Sequence, residues 1–310
     1  MAIVNAMSID VEDYFQVSAF DDVVSRDSWD ARESRVCANT ERLLALFEAS
    51  GVHATFFVLG WVATRFPELI RRIGALGHEI ASHGYGHRLV YNLPPAEFRE
   101  DVRRSKGVLE EISGKMVEGY RAPSYSVTRQ SLWALDVLVE EGYRYDTSIF
   151  PIHHDRYGIP DSPRYVHVRK VTSGSIVEAP GSTVRVGPVN LPIAGGGYFR
   201  LLPYFWTRWG IARLNGVEGR PAIFYLHPWE IDPKQPRFAV GPMTRMRHYG
   251  RLDKTEQRLR QLMRDFTFST VADVLRQETS RPEQAPAPAG APVARPTIAT
   301  GAKVEEVTIA

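Results

Sequence analysis

Short apolar runs alternate with longer stretches of helical periodicity through most of this chain. Residues 2–9 form a brief apolar segment that meets Asp10 directly and reads as a buried first strand. Residues 40–50 carry Leu43, Leu44, Leu46 and Phe47 at helical spacing and stop at Gly51. The β-branched and aromatic run at 53–59 predicts a strand, and 67–76 a helix opened by Pro67 and ended by Gly77. A short strand at 78–82 leads into His83. The same signals predict a long amphipathic helix at 94–112, a strand at 117–121, a helix at 129–141 and a strand at 143–146. Beyond a polar loop at 151–164 come strand-like alternation at 166–179 and a glycine hinge at 195–197. An aromatic stretch at 198–209, a buried strand at 222–226 and terminal helices at 252–266 and 270–278 complete the pattern.

This alternation implies βα units around a parallel sheet or barrel. Asp10, His83, Arg121, Asp146 and His227 each follow a predicted strand, the end at which parallel α/β folds carry their functional loops. One domain is expected over 1–279. From Ser280 the composition turns to Pro, Ala, Thr and Gly, so 280–310 is expected to be a disordered tail.

Composition narrows the function without naming it. Lys and Arg number 38 against 36 Asp and Glu, a balance of +2 that gives no electrostatic case for nucleic acid. The single cysteine, Cys37, excludes an intrachain disulfide and reads as a buried free thiol. The N-terminal run has no basic region or cleavage site, and no apolar stretch reaches the ~20 residues of a membrane span. A cytoplasmic protein is the expectation.

The chemistry gathers in two places. His83 and His87 lie four residues apart with Gly84 and Gly86 between, which argues for a turn rather than a helix. Asp10, Glu12 and Asp13 end the first strand, where alternation points Asp10 and Glu12 to the same side. Two histidines and a carboxylate leave open positions on zinc, the mark of a catalytic site. One carboxylate can bind the metal while another takes a proton from water. Arg121, before a rigid Ala-Pro turn, suits pairing with a buried carboxylate. Asp146 and His227 suit a carboxylate and the imidazolium that it orients. In the aromatic stretch, Tyr198, Phe199 and Arg200 are the best rim candidates for sugar contacts, although packing is the commoner role of such residues.

Five motifs in order carry a resemblance: Ser-Ile-Asp-Val-Glu-Asp from Ser8, His-Gly-Tyr-Gly-His from His83, Arg-Ala-Pro-Ser-Tyr from Arg121, Tyr-Asp-Thr-Ser from Tyr145, and Tyr-Leu-His-Pro-Trp-Glu from Tyr225. The chain resembles the polysaccharide deacetylases with NodB homology, carbohydrate esterase family four. Within them it looks closest to a branch found with exosortase-linked exopolysaccharide clusters. The resemblance implies a distorted (β/α)7 barrel with one zinc, other divalent transition metals being alternatives. It also implies removal of N-acetyl groups from sugars of an exopolysaccharide or its precursor. It gives Asp10 as general base, His83 and His87 as metal ligands, and Arg121 as partner of the base. Asp146 is the carboxylate tuning the acid His227, Leu226 lines the acetyl-methyl pocket, and a backbone N–H near Tyr125 meets the oxyanion. The order Asp-Val-Glu-Asp departs from the family's adjacent aspartates and leaves Glu12 and Asp13 both open as the metal carboxylate, with alternation favouring Glu12. Hydrolysis of a cyclic amide on the same scaffold and non-catalytic carbohydrate binding are the rival readings. A glycosidase would leave the histidine pair unexplained.

Overall fold

The computed structural model of the chain describes residues 3–280. In chain order the strands are β1 (Asn5–Val11), β2 (Thr55–Val58), β3 (Glu79–Ser82), β4 (Gly119–Tyr120), β5 (Tyr145–Asp146), β6 (His167–Val171), β7 (Gly174–Glu178), β8 (Thr183–Val186), β9 (Val189–Pro192), β10 (Ile223–Leu226) and β11 (Phe268–Ser269). The helices are α1 (Val36–Ser50), α2 (Gly60–Arg65), α3 (Pro67–Ala75), α4 (Pro95–Ser113), α5 (Ala134–Glu140), α6 (Gly196–Leu201), α7 (Tyr204–Gly216), α8 (Pro242–Tyr249), α9 (Leu252–Asp265) and α10 (Val271–Thr279).

Seven strands run parallel in the order β10, β1, β2, β3, β4, β5, β7, and β6 joins the far edge as the antiparallel partner of β7. The result is a distorted seven-stranded βα barrel. No ladder joins β7 to β10 among the described residues. Ser182 bridges that seam, its hydroxyl accepting from Ile223 N–H at 2.7 Å. β1 is buried along its whole length, as a strand covered on both faces must be. Alternation divides its residues. Met7, Ile9 and Val11 join the large apolar layer beneath the helices, whereas Ala6 packs inside with Phe57 and Ala81. Val271, Val274 and Leu275 of α10 close the inner cluster at its base. Inward chemistry therefore emerges at the opposite end, where β1 finishes in Asp10 and Val11.

Several boundaries differ from the sequence expectation. The strands expected at 117–121 and 143–146 shrink to two ladder residues each. α1 begins at Val36 because Asp13 supplies an acceptor for its first turn: Oδ2 accepts from Arg35 N–H at 2.8 Å and Val36 N–H at 3.2 Å. The helix expected at 129–141 splits into a 3-10 turn over Arg129–Ser131, opened by a Thr128–Ser131 capping box, and then α5. Strand-like 166–179 resolves into the β6–β7 hairpin. The β8–β9 hairpin and α8 had no expected counterpart.

The glycine hinge is a packing site. A Cβ on Gly195 or Gly196 would lie 2.2 or 2.7 Å from the Tyr225 side chain, and both residues have positive φ, so only glycine lets this segment lie against β10. The tail expected from 280 lies, Ser280 apart, outside the described residues.

Candidate active site

Where β1 ends, Glu12 N–H donates back to the Asp10 carbonyl at 3.0 Å, a tight turn that presents both carboxylates to one opening. β3 ends nearby and enters the turn from His83 to His87. Asp101 on α4 builds that turn, accepting from Tyr85 N–H at 2.7 Å and Gly86 N–H at 3.3 Å. Gly84 is required there: its φ is +75°, and a Cβ would stand 2.7 Å from Asp101 Oδ2. The turn brings the two imidazoles to a centroid separation of 5.5 Å. His87 Nε2 lies 2.7 Å and His83 Nε2 3.8 Å from Glu12 Oε2. His83 Nδ1 pairs with the Arg121 carbonyl at 2.8 Å, which leaves Nε2 as the bare nitrogen.

Glu12, His83 and His87 are all buried, and their ligand atoms lie within 4.8 Å of one another. Glu12 Oε1 accepts from Trp229 Nε1 at 3.0 Å, but Oε2 is buried without a hydrogen bond. An orphaned carboxylate oxygen facing two imidazole nitrogens is a donor set that fits a divalent transition metal. Burial opposes charge on Glu12, yet His87 and then His227 hold its carboxyl well below the usual range. Burial pushes His83 down to about 4 against the pull of Asp10, which favours the neutral imidazole, the form that a metal would bind.

Asp10 is held from behind. Arg121, fully buried, brings Nη1 to 2.6 Å from Asp10 Oδ1 and gives hydrogen bonds to Ser8 Oγ at 2.9 Å and Thr147 Oγ1 at 2.7 Å. Its guanidinium carbon lies 4.2 Å from the centroid of the Phe57 ring. The other carboxylate oxygen, Oδ2, faces the opening. His227 stands across it, with Nε2 3.8 Å from Asp10 Oδ2 and 3.7 Å from Glu12 Oε1. The His227 side chain keeps 17% of its exposure while Asp10 keeps 3%, so the imidazole is the more open of the two. Burial works against the His227 cation, but Glu12, Glu230 and Asp10 outweigh it and push its pKa up to about 9.

Four sequence expectations need correcting. Asp13 stands outside the metal cluster: its carboxylate serves the α1 N-terminus and also accepts from Ser34 Oγ at 2.6 Å. Asp146 has partners other than His227. It accepts from Ser148 Oγ at 2.5 Å and from Ser148 N–H at 3.0 Å, and its neighbour across the ladder is Glu178. The carboxylate on His227 Nδ1 is Glu230, at 2.6 Å. Leu226 points into the outer apolar layer, because alternation gives the inward face of β10 to Tyr225, whose ring centroid lies 5.7 Å from the Arg121 guanidinium carbon. The Tyr125 N–H donates to the Ala122 carbonyl at 3.1 Å within its own turn, so the part of Tyr125 that reaches the inner wall is its ring, 5.2 Å from that of Tyr225.

Of the rim candidates, Phe199 and Arg200 are buried, and only Tyr198 stays partly open, its hydroxyl 3.5 Å from that of Tyr157. Sequence reasoning missed Asp101, Arg200 in its ion-pair role, Tyr225 and Glu230. For Glu230 a signal existed, a carboxylate three residues after His227. For Asp101, in mid-helix, there was none.

The polysaccharide deacetylase family profile matches residues 17–145, and a domain of unknown function (DUF3473) matches residues 147–276. A peptidoglycan deacetylase of Helicobacter pylori is 29% identical over 127 residues, covering 41% of this chain and 40% of that protein. A chitooligosaccharide deacetylase of a Bradyrhizobium species is 31% identical over 99 residues, covering 32% and 43%. The chain thus spans less than half the length of these curated relatives. Among solved structures, a Mycobacterium smegmatis protein assigned to the polysaccharide deacetylases aligns with a TM-score of 0.61 at 21% identity, over 93% of this chain and 94% of that one. An allantoinase aligns equally well at 0.61 and 16% identity, over 91% and 92%, so the likeness extends to the fold alone.

Proposed function

Because the chain belongs to the polysaccharide deacetylase family, we propose that it is a metal-dependent N-deacetylase of N-acetylated sugars, acting on an exopolysaccharide or its precursor. The observation that carries the reading is the convergence of three separate kinds of group on one opening: the Glu12–His83–His87 donor set, the Asp10 Oδ2 held in place by Arg121, and His227 Nε2. The relatives named for peptidoglycan and chitooligosaccharides support an N-acetylated sugar as substrate. The stretches SIDVEDYF and YLHPWEID, through which the chain resembles the exosortase-linked branch, support the exopolysaccharide assignment.

Glu12, His83 and His87 would hold the metal, with zinc the ion best suited to two imidazoles and one carboxylate. When bound, it supplies Lewis acidity toward water and the acetyl carbonyl. Asp10 Oδ2 accepts the proton of the attacking water. Arg121, engaged with Oδ1, fixes the carboxylate so that Oδ2 is the oxygen presented. His227 delivers a proton from Nε2 to the amide nitrogen as the C–N bond breaks. Acetate and a free amino sugar leave, and water has been divided between them.

The test is metal content and acetate release together. Wild-type protein should carry about one zinc per chain and release acetate from N-acetylglucosamine oligomers. His83→Ala and His87→Ala should lose both. A wild type that takes up no metal, even after zinc is added, would rule the reaction out.

A further inference from the structure

His227 carries its carboxylate with it. The residues from Pro228 to Ile231 form a 3-10 turn that begins at His227 and returns Glu230 beneath the imidazole, where Oε1 pairs with Nδ1 at 2.6 Å and also accepts His227 N–H at 3.1 Å. Glu230 is completely buried. Its second oxygen is taken by Nε of Arg200, a guanidinium only 1% exposed. Arg200 is itself fixed, with Nη1 and Nη2 donating to the carbonyls of Gly250 and Arg247 at 2.7 Å each. Trp229 forms the side wall, its ring stacked 5.0 Å from His227 on one face and 4.1 Å from His248 on the other.

We propose that Arg200 and Glu230 are the positioning pair for His227, holding its ring so that Nε2 alone faces the scissile amide. The proposal rests on the deacetylase reading above. A buried carboxylate is costly unless paired on both oxygens, and here one oxygen meets the Arg200 guanidinium and the other the His227 imidazole. The rigid anchor behind Arg200 fixes Glu230, and Glu230 fixes the plane of the imidazole. All of these residues lie in the 147–276 segment that matches a domain of unknown function, so that segment contributes both the acid and its support. The Asp146 carboxylate, committed to Ser148 and Glu178, takes no part.

The experiment compares two leaving groups. An amine must be protonated as it departs, whereas 4-nitrophenolate leaves as a stable anion and needs no proton from His227. Glu230→Gln should lower kcat on an N-acetylglucosamine tetramer about 100-fold, with KM unchanged, and kcat on 4-nitrophenyl acetate by less than about 3-fold, the gap being the share of general acid catalysis. Arg200→Lys keeps the charge but loses the fork, and should show the same split at about 10-fold. Metal content should match wild type in both variants. Equal losses on amide and ester, or no loss on the amide, would overturn the pairing while leaving the deacetylase reading intact. A metal-loaded wild type inactive on both substrates would instead remove that reading, and the pairing with it.

Discussion

Glu230 and Glu178 are both completely buried near the same barrel mouth, yet their carboxyls are pushed in opposite directions. Burial penalises the charge of each. At Glu230 the cations Arg200 and His227 overcome that penalty and keep the carboxyl below its usual range. At Glu178 the neighbour across the ladder is Asp146, and burial together with that negative charge pushes the carboxyl well up. Depth alone does not decide what a buried carboxylate does; the sign of its neighbour does. The comparison also explains why Asp146 does not serve His227. Its oxygens accept from Ser148, and Glu178 lies beside it across the ladder.

Asp10 gives the largest test of this contrast. Like Glu230 it has a guanidinium on one oxygen, but its other oxygen is turned to the opening. Asp10→Asn keeps the shape and removes the base, so turnover should fall by about 10³- to 10⁴-fold, roughly 4–5 kcal/mol of barrier, while zinc measured by elemental analysis stays at the wild-type level. Loss of metal in that variant would move Asp10 into the ligand set.

Stability against pH should separate the two glutamates by sign. Glu230, depressed in the fold from an ordinary 4.5, contributes stability that is present above that value and is lost as pH falls below it. Glu178, raised from the same 4.5, contributes stability that is present below that value and is lost as pH rises above it. In urea unfolding across a pH series, Glu230→Gln should flatten the acid side and Glu178→Gln the alkaline side, each by on the order of 1–2 kcal/mol. Slopes changed in the same direction by both variants would break the comparison.

The smallest effect belongs to Asp13. Asp13→Asn should cost about 1 kcal/mol through the weakened N-terminal turn of α1, with metal content unchanged. A protein that lost its zinc would return Asp13 to the ligand set.

Legibility in the sequence followed the range of each interaction. The βα alternation and the strand-end positions of Asp10, His83, Arg121 and His227 were readable because a local period or a short motif encodes them. Glu12 was favoured over Asp13 by alternation, and the structure places Glu12 against both histidines. Asp146 and Leu226 were misplaced for a common reason: a family motif names a position, whereas the direction of a side chain depends on strand phase and on competing partners. The Tyr225–Leu226 phase was available from alternation along β10. The preference of Asp146 for Glu178 was not, because it arises from the β5–β7 register across a long connection. Arg200 looked like a rim residue because its anchors, the carbonyls of Arg247 and Gly250, are backbone groups far along the chain.

β1 has neighbours drawn from very different points in the chain: β2 and β11 on one side, and β10 on the other. As the polypeptide leaves the ribosome, Glu12, His83 and His87 are all present once the first third has been made, whereas the strand that carries His227 arrives much later. A nascent chain can therefore gather Glu12, His83 and His87 before it has made His227. Until β10 docks, the edge of β1 lies open beside them, so the last strands to be synthesised both seal the barrel and complete the chemistry at its mouth.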